Sequence, residues 1–268
     1  MRVARYAAAG ADPAFGLVEL ADDHGEHPDT IARLTGDPLA GPVELTGERV
    51  LLSDVRLVAP VLPRSKIIGV GKNYADHIAE MRTPAPEGIL TFFKPNTSVI
   101  GPEDAIVHPA ASSEVSYEGE LAVVIGRICK QVPIERVREV IFGYTVANDV
   151  TARDWQRGDG QWTRAKGADT FCPLGPWIAT HLTIEEASDL ALTTTVDGSL
   201  RQDGVTSRMI HGIAELVAFC SSFATLLPGD VILTGTPAGV GTVTPGQRVE
   251  VTIDRIGSLS NPVIAEEG

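Results

Sequence analysis

Val115-Ser116-Tyr117-Glu118-Gly119-Glu120-Leu121-Ala122-Val123-Val124-Ile125-Gly126 is the stretch on which the reading of this chain turns. Its second half is a short, nearly unbroken apolar run ending at glycine, the pattern of a strand that enters a core. Read as one strand, its two-residue period puts Glu118 and Glu120 on the same face, with their carboxylates close together. Like charges so placed repel. They are tolerated on a solvated edge or when a cation holds them, and the pair alone does not decide between the two.

Working outward, the same texture recurs. Ile67 to Val70, Val231 to Leu233 and Val249 to Ile253 are short apolar runs bounded by Gly, Pro or Asp, which favours a β-rich sandwich or roll. Before them, the first ~60 residues read as short strands, Arg2 to Ala8, Gly16 to Leu20 and Val50 to Val58, joined by turns such as Asp22-Asp23-His24-Gly25. Pro60 and Pro63 mark a boundary, giving a small N-terminal β domain over 1–62 and a larger domain over 63–268. The spacing of Ile213, Leu216, Val217, Cys220 and Phe223 predicts a helix stopped by Leu227-Pro228-Gly229, and a second helix is expected from Ile134 to Val140.

A third carboxylate joins the pair. Gly143 to Asp154 reads as a strand running into a helix start, with Asp149 at the junction. Asp149, or Thr151 with Asp154, could cap that helix, and Asp149 could equally serve as a ligand. Three carboxylates without histidine or thiolate suit a hard cation such as Mg²⁺ or Mn²⁺ better than zinc. His77 and Glu80 stand three residues apart, neighbours on a helix face; the spacing fits a tuned general base and a surface ion pair alike. Further polar candidates are Lys94, Arg153, Gln156, Lys166 and Thr236, each with an ordinary structural alternative such as a helix C-cap at Lys166-Gly167.

Composition narrows the function classes. The 268 residues are 43% hydrophobic and 21% charged, as expected of a folded globular protein. A net charge of −13 without a basic run opposes nucleic-acid binding. Cys129, Cys172 and Cys220 are scattered and odd in number, which argues against a disulfide framework or a zinc cluster and fits a reducing cytoplasm. No segment nears the ~18 apolar residues of a membrane span, and the apolar stretch before Gly10 is too short for a signal-peptide core. Gly69-Val70-Gly71 lacks the third glycine of a dinucleotide fingerprint, and neither a P-loop nor a G-x-S-x-G elbow is present.

Taken together, the motifs resemble the fumarylacetoacetate hydrolase superfamily. The match runs from about Lys66 to Ile253. It rests on Gly71-Lys72-Asn73-Tyr74-Ala75-Asp76-His77, Phe93-Lys94-Pro95, Glu118-Gly119-Glu120, Asn148-Asp149-Val150-Thr151-Ala152-Arg153-Asp154, Arg201-Gln202-Asp203-Gly204 and Gly229 to Pro237, in the family's order. The resemblance implies a mixed β-sandwich roll with a small N-terminal domain, usually a homodimer. It implies a Mg²⁺ site, with Mn²⁺ or Ca²⁺ as substitutes, on Glu118, Glu120 and Asp149. It also implies a lid helix carrying a His77–Glu80 dyad, an oxyanion-stabilising Lys166, and a substrate pocket lined by Lys72, Tyr74, Lys94, Arg153, Gln156 and Thr236. Lys72 stands where many relatives have arginine, and the large N-terminal domain of the eukaryotic tyrosine-degrading enzyme is absent, as in short bacterial members.

The chemistry so implied is an enolate formed from a 2-oxo or 2-hydroxy-dienoic mono- or dicarboxylic acid. The reading leans to a 2-hydroxyhepta-2,4-diene-1,7-dioate isomerase of aromatic-acid breakdown. A C–C hydrolase of acylpyruvate or fumarylpyruvate type, an oxaloacetate decarboxylase and a non-catalytic ligand-binding homologue are the alternatives.

Overall fold

The computed structural model describes residues 1–21, 27–82 and 84–267. The turn expected at Asp22-Asp23-His24-Gly25 lies outside them. The chain opens with β1 (Arg2–Ala7), β2 (Ala14–Glu19), β3 (Thr30–Leu34), β4 (Leu45–Leu51) and β5 (Arg56–Val58). It continues through β6 (Ile67–Gly71), helix α1 (Ala75–Met81), β7 (Leu90–Lys94), β8 (Val99–Ile100), β9 (Ile106–His108), β10 (Val115–Tyr117) and β11 (Gly119–Ile125). Next come β12 (Ile141–Asn148), β13 (Thr151–Ala152), α2 (Arg153–Asp159), α3 (Thr163–Gly167), β14 (Cys172–Ala179) and α4 (Ile184–Ala187). The last elements are β15 (Ala191–Val196), β16 (Ser199–Val205), α5 (Ile213–Phe223), β17 (Val231–Leu233), β18 (Gly241–Val243), β19 (Arg248–Ile253) and β20 (Gly257–Ala265).

A long mixed sheet runs β4-β3-β2-β1-β14-β12-β11-β17-β6-β7, and a five-stranded sheet runs β16-β15-β19-β20-β9. A short sheet, β13-β10-β18, links them. The side chains of β11 show why its sequence is apolar at every position. Leu121, Val123 and Ile125 face a core shared with Leu192, Val251 and Leu259 of the second sheet. Ala122 and Val124 face a separate core closed by Val3, Leu39 and Val61 from the N-terminal region. A strand buried on both faces loses the alternation of a half-exposed one. The N-terminal strands are also hydrogen-bonded into the same sheet, through Arg2↔Ala179 and Val3↔Ile178.

Several sequence expectations change in detail. The strand expected over Val50 to Val58 is broken by a 3-10 turn at Leu52–Asp54, and β3 was not anticipated, because its five residues carry two charged or polar side chains. The helix expected from Ile134 to Val140 is a 3-10 segment, Ile134–Glu139, with only Val137 buried, so no apolar face stabilises a full α-helix. The strand through Glu118 is also interrupted. β10 ends at Tyr117 in the linking sheet and β11 begins at Gly119 in the large one, which leaves Glu118 at the crossing point.

Two local devices set the site, and a third fixes the sheet that carries it. Gly119 packs so closely that a Cβ there would lie 2.4 Å from Thr194 Oγ1 and 2.9 Å from Val251 Cγ1. Gln202 accepts from the Gly119 N–H at 2.9 Å and donates to Thr236 Oγ1 at 2.7 Å and to the Pro237 carbonyl at 2.9 Å. Asp230, fully buried, accepts from Ser65 Oγ, the Lys66 N–H, Lys66 Nζ and the Leu227 N–H at 2.6–3.1 Å, which anchors the parallel β6–β17 pair.

Candidate metal centre and active site

Glu118, Glu120 and Asp149 converge because adjacent strands carry them. Gly119 pairs with Asn148 across β11–β12, the Asp149 N–H donates to the Glu118 carbonyl at 2.8 Å, and the Glu118 N–H donates to Asn148 Oδ1 at 2.9 Å. One oxygen from each carboxylate falls within 4.8 Å of the others, and all three residues are buried. Neither Asp149 nor Thr151 caps α2: the cap position is Ala152, without a side-chain bond. Asp154 instead accepts from Ser112 Oγ and the Ser113 and Trp155 N–H groups.

Cations crowd this cluster. Lys166 Nζ donates to Glu118 Oε2 (2.9 Å), Asp149 Oδ2 (2.6 Å) and Thr151 Oγ1 (2.8 Å). Lys94 Nζ donates to Asp149 Oδ1 at 2.5 Å, and Arg153 Nη2 lies 2.5 Å from Glu118 Oε1. Burial opposes the charge on Glu118, yet Lys166, Arg153 and His77 hold its carboxyl well below the usual range. Burial also works against the Lys166 ammonium, but Asp149 and Glu118 outweigh it and keep the group charged. Glu120 is different. Burial, then Asp149 and Glu118, push its carboxyl well above the usual range. It accepts one hydrogen bond, from the Gly235 N–H at 2.7 Å. Gly235 has φ +98°, and a Cβ there would lie 2.7 Å from that of Asn73, so glycine is required for this approach.

These residues fit a metal ion. The donors are all carboxylate oxygens, burial and the repulsion of Asp149 and Glu118 push the Glu120 carboxyl toward its neutral form, a repulsion that a divalent cation would relieve, and among the described residues no histidine or thiolate joins the cluster. The buried acidic triad can therefore hold a hard cation.

A cavity of about 200 Å³ opens beside the triad. Its walls include Lys72, His77, Glu118, Glu120, Arg153, Gln156, Lys166 and Thr236 from the residues expected, and Met81, Arg157 and Trp162, which the sequence reading missed. Arg157 was legible in retrospect, since it follows Arg153 by four positions on α2; Trp162 carried no signal. Two expected pocket residues lie elsewhere. Lys94, 1% exposed, stands behind Asp149, and Tyr74 is packed in the core with its hydroxyl unpartnered among the described residues. Thr236 lines the cavity, but its hydroxyl is committed to the Gly119 carbonyl at 2.8 Å and to Gln202.

His77 and Glu80 sit on α1, which follows β6 through a left-handed turn at Lys72 (φ +57°). Asn73 fastens that turn, donating to the His211 and Thr234 carbonyls at 3.0 and 2.8 Å. His77 is buried, its Nδ1 has no hydrogen-bond partner among the described residues, and burial lowers its pKa against the opposing pull of Glu118. Glu80 Oε2 lies 3.6 Å from that nitrogen, beyond hydrogen-bond reach. Its oxygens accept from the Gly239 N–H instead, at 3.1 and 3.0 Å.

A β-sandwich roll with a buried carboxylate triad at the floor of a cation-lined cavity defines a class of metal-site enzymes built on this fold. The chain belongs to the fumarylacetoacetate hydrolase family: "Fumarylacetoacetate (FAA) hydrolase C-terminal" matches residues 66–264, and "Rv2993c-like, N-terminal" matches residues 1–60. It is 51% identical to Protein Rv2993c of Mycobacterium tuberculosis over 264 residues, 98% of each chain. It is 42% identical over 221 residues to a mitochondrial oxaloacetate tautomerase of Xenopus laevis, covering 79% of this chain and 69% of that one. Among solved structures, 5-carboxymethyl-2-hydroxymuconate delta-isomerase from Mycobacterium smegmatis superposes with a TM-score of 0.89 at 49% identity, covering 99% and 100% of the chains. Maleylpyruvate hydrolase from Sphingobium sp. SYK-6, in complex with manganese (II) ion and pyruvate, superposes with a TM-score of 0.81 at 31% identity over the full length of both. Among the described residues no helix is long and apolar enough to cross a membrane.

Proposed function

We propose that this protein is a Mg²⁺-dependent isomerase that interconverts 2-oxo acids and their 2-hydroxy-dienoic tautomers by moving a proton between carbon and the C2 oxygen, with activity of the 2-hydroxyhepta-2,4-diene-1,7-dioate isomerase type. The observation that carries this reading is His77. It lines the cavity beside Glu118, its burial favours the neutral imidazole, and its Nδ1 is unpartnered. A neutral imidazole in such a place is a base ready to take the proton from C3 of a 2-oxo acid, or from the hydroxyl of its 2-hydroxy-dienoic tautomer, and to return it at the other end of the conjugated system. Glu118, Glu120 and Asp149 would hold the cation, which would supply positive charge to offset the negative charge that builds on the substrate's oxygens. Arg153, held by Glu118 and by Gln156 Oε1 at 3.0 Å, presents a fixed positive group at the same end. Lys166 donates to Glu118 and Asp149, lowers the pKa of Glu118 and adds positive potential beneath the reacting atoms.

A C–C hydrolase is the second reading, because His77 and Glu80 are close enough to form a water-activating pair after a small movement. The isomerase is favoured because Glu80 is committed to Gly239 and a proton shuttle needs only the imidazole. The isomerase and tautomerase relatives agree with this choice.

The test is Mg²⁺-loaded protein in D₂O with a panel of 2-oxo and 2-hydroxy-dienoic acids, followed by NMR and mass analysis. Deuterium should enter at C3 with the carbon chain intact, and His77→Ala should slow exchange by ~10²–10⁴-fold. Chain-cleavage products appearing without exchange would establish the hydrolase instead.

A further inference from the structure

We propose that Arg157 is a specificity-determining residue that binds the substrate's distal carboxylate. The inference rests on the reading of the site as a 2-oxo acid site.

Helix α2 presents Arg153, Gln156 and Arg157 at positions i, i+3 and i+4, one face, and all three line the cavity. Their burial is graded. Arg153 is buried against Glu118, Gln156 is half-buried and accepts from Arg153, and Arg157 is exposed at the mouth. Four residues of α-helix advance ~6 Å, so Arg157 stands about one turn outside the group that faces the reacting end. The other face of the same helix is fixed by Asp154, whose oxygens bond Ser112 and Ser113, so the orientation of the arginine face is set by the fold.

Arg157 already holds a carboxylate: its Nη2 donates to Glu114. The Arg157 and Glu114 side chains are 64% and 35% exposed, so this is a weak, solvent-screened pair. A carboxylate arriving through the cavity can take the place of Glu114 with little penalty, and a guanidinium binds such a group through paired donors. The inner cations are not free for this task, since Arg153 and Lys166 are bound to the triad. Lys72, on the same cavity wall, donates to the Pro84 carbonyl at 3.2 Å and adds positive charge near the entrance.

Calorimetry on the Mg²⁺-loaded full chain distinguishes the two ends of the ligand. Oxalate and 2-oxobutyrate probe the reacting end alone; 2-oxoglutarate adds a distal carboxylate. Arg157→Met should weaken 2-oxoglutarate about tenfold or more and change oxalate and 2-oxobutyrate by less than about twofold. Arg157→Lys should fall between, and Glu114→Gln should tighten 2-oxoglutarate by freeing the guanidinium. Equal effects of Arg157→Met on all three ligands, or none on 2-oxoglutarate, would overturn the inference while leaving the site reading intact. A wild-type protein that binds neither oxalate nor 2-oxobutyrate would overturn the site reading and this inference with it.

Discussion

The carboxylate of Glu80 accepts the Gly239 N–H through both oxygens, at 3.1 and 3.0 Å, and thereby ties helix α1 to the loop that follows Thr236. The same carboxylate is 3.6 Å from His77 Nδ1. One side chain thus ties α1 to that loop and places a negative charge beside the imidazole.

That arrangement sets a pH dependence. Burial lowers the His77 pKa and Glu80 raises it in part, so the neutral base persists below its ordinary value of ~6.5. The acid limb of kcat should lie below ~6.5 and move lower still in Glu80→Gln, which removes charge favouring the imidazolium but keeps an amide oxygen for Gly239. A pH–rate profile checks this, and an acid limb moving upward in the variant would contradict it.

Metal binding should release protons. Burial and its two carboxylate neighbours push the Glu120 carboxyl up toward its neutral form, and a ligand must be deprotonated to coordinate. Titrating Mg²⁺ in buffers of different ionisation enthalpy should show net proton release that grows as pH falls. Glu120→Gln should abolish the buffer dependence and weaken binding.

Gly119→Ala tests whether the triad depends on the close contact of the two sheets. Its Cβ would overlap Thr194 and Val251, which belong to the second sheet and have little room to move. The variant should lose ~1–3 kcal/mol of stability. Because Gly119 lies between two ligands, Mg²⁺ affinity should fall as well, and urea unfolding together with calorimetry separates the two losses.

Asp230→Ala removes the buried partner of a part-exposed lysine, remote from the cavity wall. The Lys66 and Leu227 N–H groups and Ser65 Oγ lose their acceptor, so the cost should be ~1–3 kcal/mol by urea unfolding. Mg²⁺ affinity of the folded fraction should be unchanged.

The sequence by itself determined the strand-rich core and singled out the three carboxylates. An apolar run at β11 can be satisfied only by burial on both faces; spacing put Glu118 and Glu120 side by side, and the family motifs, not spacing, tied Asp149 to them. The i, i+3 relation of His77 and Glu80 was equally legible, because a helix fixes it locally.

What only the tertiary structure decided are relations across long sequence separation. Lys94 lies behind Asp149 because β7 packs on α3 and the triad, 55 residues away in the chain. Glu80 meets Gly239 across 159 residues, and Tyr74 turns into the core when the period of a short strand-to-helix turn would have allowed either direction. The break at Glu118 is of the same kind: a strand's local pattern is unchanged when it passes from one sheet to another, since the partner strands that define each sheet come from elsewhere in the chain.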